Sequence, residues 1–103
     1  MTVFLVENFV VKPDKQMEFL AYKEKWKKFF APLLKELKSY RMFSQMFDGS
    51  YGGFVEMWEF ESLADLEKFF GKVKSDYMKK FYPEFASLIV PGAYSMSVWN
   101  SVM

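Results

Sequence analysis

The chain has 103 residues, 51% of them apolar, with thirteen Phe, six Tyr and three Trp, and a net charge of +1. That length makes one domain over residues 1–103, and the aromatic surplus exceeds what so small a monomer can readily hide. The charge balance, with a single Arg among the basic residues, offers no broad attraction to nucleic acid or acidic membranes. Cys and His are both absent. A thiolate nucleophile, the usual general base, the commonest zinc ligand and the usual haem ligand are therefore excluded. No apolar run approaches the roughly 18 residues that span a bilayer, and the start carries no signal-peptide pattern, so a soluble, cytoplasmic protein is expected.

Thr2 to Val11 reads as a first strand, stopped by Pro13, with Asp14 as a candidate N-cap. The next stretch places Phe19, Tyr22, Trp26, Phe29, Phe30, Leu33 and Leu37 at spacings of three and four, one helical stripe. Lys23, Glu24, Lys25, Lys27 and Lys28 are assigned to its solvated surface, with Glu24 and Lys28 as an i, i+4 pair. Pro32 is expected to kink this helix or split off its last turn.

Tyr40–Phe47 and Phe54–Glu61 read as an antiparallel hairpin closed by "DGSYGG". Ser62 opens a second helix, with Asp65 completing a capping-box variant. Leu63, Leu66, Phe69, Phe70, Val73 and Tyr77 form its stripe. Gly71 and Pro83 predict two shorter helical pieces between Ser62 and Ile89. The alternating "AYSMSVWNSV" is the final strand.

The order β-α-β-β-α-β predicts an α+β, ferredoxin-like sandwich, a four-stranded antiparallel sheet with both helices on one face. Strand 1 is apolar on both faces: Val3, Leu5, Phe9 and Val11 on one, Phe4, Val6 and Val10 on the other. Strand 3 sets Phe54, Trp58 and Phe60 against Val55 and Met57. A sheet with one wet face alternates cleanly instead, so a second copy of the chain is expected on the helix-free face.

With "VENFVVKPD" in the first strand and turn and "EFESLADLEKFF" leading into the second helix, the chain resembles the dimeric α/β-barrel superfamily. That group includes antibiotic-biosynthesis monooxygenases, NIPSNAP-like proteins and small haem-degrading monooxygenases. The resemblance implies two ferredoxin-like sheets paired face to face, with a pocket in each subunit between sheet and helices. In the haem-degrading branch an Asn, a Trp and a His serve the haem. Asn8 matches the Asn, but Phe69 and Tyr82 stand at the other two positions, so the iron ligand is lost and no cofactor is implied. The antibiotic-monooxygenase branch needs neither metal nor flavin, and lets a deprotonated aromatic or polyketide-like substrate react with oxygen. Asn8, Trp26, Arg41, Trp58 and Tyr77 are this chain's candidates for orienting such a substrate.

Each candidate has a structural alternative. Asn8, expected to face the pocket, is either a ligand contact or a buried amide bonded to a neighbour. Glu7 is expected to point the other way, into the subunit interface, as a register-fixing pair. Arg41 suits a carboxylate or phenolate, or a surface ion pair. Trp26, Trp58 and Phe69 either stack on a ligand or are core packing, and Tyr77 and Tyr82 either present a phenol to the pocket or snorkel. The functional alternatives are a cofactor-independent oxygenase, a binding module for a small apolar or aromatic ligand without turnover, and a structural or stress-related homodimer whose own aromatics fill the pocket.

Overall fold

The computed structural model describes residues 2–33, 35–45 and 52–102. Four strands, β1 (Val3–Val10), β2 (Leu37–Ser44), β3 (Gly53–Phe60) and β4 (Ser95–Asn100), form one antiparallel sheet in the order β2-β3-β1-β4. One face carries α1 (Gln16–Phe30), α2 (Leu63–Asp76) and α3 (Tyr82–Leu88). This is the ferredoxin-like α+β sandwich that the element order predicts.

The core is built from the odd positions of β1, Val3, Leu5 and Phe9, with Val11 just beyond it, against Phe19, Tyr22, Trp26 and Phe30 of α1. Trp58 and Phe60 of β3, and Leu66, Phe69 and Val73 of α2, complete it. Rings meet in tilted and edge-on pairs, such as Phe9–Phe85 at 5.3 Å and Trp26–Trp58 at 5.0 Å. These geometries favour the aromatic quadrupole over face-to-face stacking.

Chain breaks follow the prolines. Pro13 opens a 3-10 turn, Pro13–Lys15, that leads into α1. Asp14 sits inside that turn and makes no cap, because α1 begins only after Lys15. Pro32 splits off a second 3-10 turn, Ala31–Leu33, and Pro83 lies in the first turn of α3, where its missing N–H costs nothing. Between α2 and α3 the chain widens into a π-helical turn, Tyr77–Phe81. Ser62 caps α2 by accepting from the Asp65 N–H at 3.2 Å.

Several expected surfaces shift. Leu63 and Phe29 are exposed because the helical stripes are narrower than the apolar spacing implied. Leu37 leaves the first helix and begins β2, three residues before the expected start. Lys25 pairs with Glu84 at 2.7 Å, while Glu24 and Lys28 form no ion pair among the described residues. Leu33's side chain, Phe47 and most of the "DGSYGG" turn lie outside the described residues. Gly52, at the end of that turn, has φ 85°, and a Cβ there would lie 2.6 Å from the Val11 carbonyl oxygen, so only glycine fits.

Candidate functional site

A cavity of about 470 Å³ opens between the sheet and the helix layer. Leu5 and Glu7 of β1, Glu56 and Trp58 of β3, and Met96 of β4 form its floor. Tyr22, Lys23 and Trp26 line it from α1, Phe69, Phe70, Val73 and Lys74 from α2, and Tyr77 and Met78 from the π-helical turn. Phe85 of α3 and Tyr94, just before β4, complete the lining. The chain's own rings line this space without filling it.

Polar groups concentrate on the floor. Glu7 and Glu56 are direct cross-strand partners on antiparallel β1 and β3. Residues so placed have Cβ atoms roughly 4.5–5.5 Å apart, close enough for two carboxylates to repel. The two are held differently. Glu56, only 4% exposed, takes an ion pair from the Lys23 ammonium at 2.8 Å and a hydrogen bond donated by the Tyr40 hydroxyl. Lys23, 5% exposed, also lies over the rings of Trp26, Tyr40 and Trp58, at 4.4, 5.0 and 5.5 Å from their centroids. An ammonium so enclosed is balanced by one carboxylate and three aromatic faces.

Among the described residues no lysine forms an ion pair with Glu7, whose partners are neutral donors. The Trp58 indole N–H donates to its Oε1 at 2.8 Å, and the Tyr94 hydroxyl donates to its Oε2. Burial first, and the adjacent Glu56 charge second, push its carboxyl above the ordinary 4.5, against the lowering by its two donors. Tyr22 and Tyr77 share a hydroxyl–hydroxyl hydrogen bond, and burial drives both phenols well above their usual range. Tyr40 and Tyr94 shift the same way, by burial and by the carboxylates they serve. These phenols stay protonated and act as donors.

Trp26, Trp58, Phe69 and Tyr77, four of the expected site residues, meet in this cavity. Three others do not. Asn8 is exposed on the opposite face of the sheet, because the odd positions of β1 turn to the helices and the even ones away. Glu7 correspondingly lies in the pocket rather than on the helix-free face. Arg41 pairs with Met57 on that same open face. Tyr82 is exposed, with its ring 6.3 Å from Tyr77, and does not line the cavity. Lys23, assigned to the solvated face of α1, is instead buried in the site. Its signal was present: Lys23 stands four residues after Phe19 and three before Trp26, on the apolar stripe itself. Glu56 likewise shares the parity of Phe54, Trp58 and Phe60.

Among the described residues no group of three or more acidic side chains gathers to hold a metal ion, since the third member beside the carboxylate pair is a lysine. No described helix is long and apolar enough to cross a membrane.

Known structures share this architecture. A NIPSNAP family protein from Agrobacterium tumefaciens superposes with a TM-score of 0.75 at 20% identity, over 99% of this chain and 94% of that one. The chain has the fold of that group. A dimeric ferredoxin-like protein from an uncultured marine organism matches with a TM-score of 0.79 at 17% identity, over 99% and 95% of the two chains. A cofactor-independent oxygenase from Streptomyces nogalater matches at 0.70 and 12% identity, over 99% and 94%. Antibiotic biosynthesis monooxygenases are among the other matches. At these identities the likeness is one of fold. No family model matches the sequence, and no curated protein matches it.

Proposed function

We propose that the protein is a homodimeric, cofactor-independent oxygenase acting on an aromatic or polyketide-like substrate held between its sheet and helices. One observation carries the reading: Glu7 presents a carboxyl of raised proton affinity inside a cavity walled by aromatic rings. A carboxylate tuned upward in this way is a better base near neutral pH than an ordinary one. Trp26, Trp58, Phe69 and Tyr77 offer ring faces to a planar substrate, and the protonated phenol of Tyr77, which accepts from Tyr22, offers its own proton to an enolate oxygen.

The chemistry balances with molecular oxygen as the sole oxidant. Glu7 removes a proton from a ring methylene that lies across the central ring from a carbonyl and is conjugated to it through the fused aromatic rings, as in an anthrone, leaving a conjugated enolate. The enolate gives one electron to O2, and the carbon radical and superoxide combine into a C–O bond. Glu7 returns its proton to the peroxide. Loss of the second methylene hydrogen with cleavage of the O–O bond releases water and leaves a carbonyl, so CH2 + O2 becomes C=O + H2O.

The homodimer reading rests on the helix-free face. Phe4, Val6 and Val10 of β1, Phe43 of β2, Val55 and Met57 of β3, and Trp99 of β4 share it by register. Trp99 is 54% exposed in the single chain. The similar fold described as dimeric supports a second copy. Such a contact buries at least about 1,000 Å². Sedimentation equilibrium at micromolar concentration is expected to give a dimer, and a monomer contradicts this part.

One observation favours binding without turnover: both Glu7 oxygens already accept a hydrogen bond. Oxygen uptake with an anthrone decides between the two. The oxygenase reading expects one O2 consumed per anthrone, and a loss of about a hundredfold or more in Glu7→Gln with ring binding retained. Binding without uptake leaves the pocket as a binding module.

A further inference from the structure

The charges lining the pocket do not balance in the way an anion-binding site requires. Two carboxylates, Glu7 and Glu56, face one buried ammonium, Lys23. That ammonium is committed: it sits 2.8 Å from Glu56 and is enclosed by Trp26, Tyr40 and Trp58. Lys74 is the other cation on the lining, and it is exposed at the rim, where an ion pair with a ligand is worth little. A carboxylate entering the pocket therefore meets Glu7 and Glu56 with no interior cation to receive it. A neutral hydroxyl meets an acceptor.

We infer that Glu56, by sequestering Lys23, sets the selectivity of the pocket: it admits neutral aromatic hydroxyl compounds that donate to Glu7, and it rejects aromatic carboxylates. Glu56 is thus a specificity-determining residue that acts through Lys23 rather than by touching the ligand's polar group. The inference names the ligand class of the site proposed above and rests on that pocket, but not on its oxygen chemistry.

The groups facing Glu7 leave few other routes to selectivity. From β3 it sees Trp58, a donor, and Glu56, an anion; from α1, Lys23; and from β2, Tyr40. The π-helical turn supplies Tyr77, the loop before β4 supplies Tyr94, and β4 pairs it with Met96. Only Lys23 changes sign of effect when its partner is removed. Freed from Glu56, it becomes an interior cation within reach of a ligand carboxylate.

The test uses two probes of one shape, 2-naphthol and 2-naphthoate, titrated calorimetrically at about pH 7.5, where the first is neutral and the second ionised. The wild-type protein is expected to bind 2-naphthol at least about tenfold more tightly. Glu56→Gln is expected to reverse that order, and Glu7→Gln to shrink the preference for naphthol by about fivefold or more. Equal or tighter naphthoate binding by the wild-type protein overturns the inference, as does a Glu56→Gln variant with an unchanged ratio. Should Glu56→Gln fail to fold, Glu7→Gln carries the test, and an unchanged ratio there overturns it equally. Failure of both probes to bind at millimolar concentration overturns the inference together with the pocket. Selective naphthol binding without oxygen uptake supports the inference and removes only the oxygenase.

Discussion

The two faces of the single sheet carry opposite kinds of unfinished business. On the helix-covered face most apolar residues are packed into the core, and two carboxylates, Glu7 and Glu56, face each other across a strand pair inside an aromatic cavity, the first held only by neutral donors. On the open face the polar residues Asn8 and Arg41 are solvated, and it is the apolar ones, Phe43 and Trp99 among them, that lack cover. Desolvated charge asks for a small partner that brings or takes a proton. Uncovered apolar area asks for a large partner that excludes water. This contrast supports the proposed division, with ligand chemistry on one face and assembly on the other.

The largest effect that breaks this division comes from the buried ion pair. Lys23→Met leaves the Glu56 charge uncompensated at a site 4% exposed. Its expected cost is about 3–5 kcal/mol of stability, read as a lowered urea midpoint. Lys23→Met combined with Glu56→Gln should recover most of that loss, since no lone buried charge remains. A single variant as stable as wild type would show that the pair is not buried as described.

Next in size is the open face. Met57→Lys places a charge in the middle of the proposed contact, next to Val6 and Arg41 in register. Sedimentation should show a shift to monomer at micromolar concentration while the far-ultraviolet circular dichroism is kept. A dimer that survives this change sits elsewhere on the molecule.

A smaller effect sharpens the account of Glu7. Its folded-state carboxyl is raised above 4.5, so the folded chain holds this proton more tightly than the unfolded one. Below 4.5 the group is protonated in both states and makes no difference. As pH rises from there through the raised folded value, ionising Glu7 destabilises the fold, the opposite of a salt-bridged carboxylate. Wild-type Tm should therefore fall relative to Glu7→Gln across that window, with the gap widening as pH rises. A gap that stays constant contradicts the shift.

How much of this could be read beforehand differs between the two faces. The element order, the antiparallel sheet and the apolar double-sidedness of β1 and β3 were all legible, because periods of two and of three to four residues report directly on strands and helices. Which face of β1 meets the helices was not. "VFLVENFVV" is apolar at both parities, so Glu7 and Asn8 exchange places under the same pattern, and only packing against Phe19 and Phe85 decides. The Lys23–Glu56 pair was hidden for another reason. Each residue lies on an apolar stripe of its own element, but a charge is ordinarily assigned to solvent until its partner is known to lie across the core. Arg41 stands out by its chemistry and Tyr82 by its place in a resemblance, and neither gives a position in the fold.

The smallest expected effect is at Asn8 and Arg41. Exposed in the single chain, and without a place in the cavity, Asn8→Leu or Arg41→Ala should change monomer stability by no more than about 0.5 kcal/mol in urea titrations made in the Met57→Lys background.

The central claim, that Glu7 rather than Asn8 serves the pocket, is tested most directly by one calorimetric comparison. 2-Naphthol is titrated into the wild-type protein, Glu7→Gln and Asn8→Leu under identical conditions. Glu7→Gln should weaken binding about tenfold, the cost of losing a charged acceptor for the ligand hydroxyl, while Asn8→Leu leaves the affinity within about twofold. Weakened binding in Asn8→Leu with Glu7→Gln unaffected would place the ligand on the other side of the sheet and contradict the account.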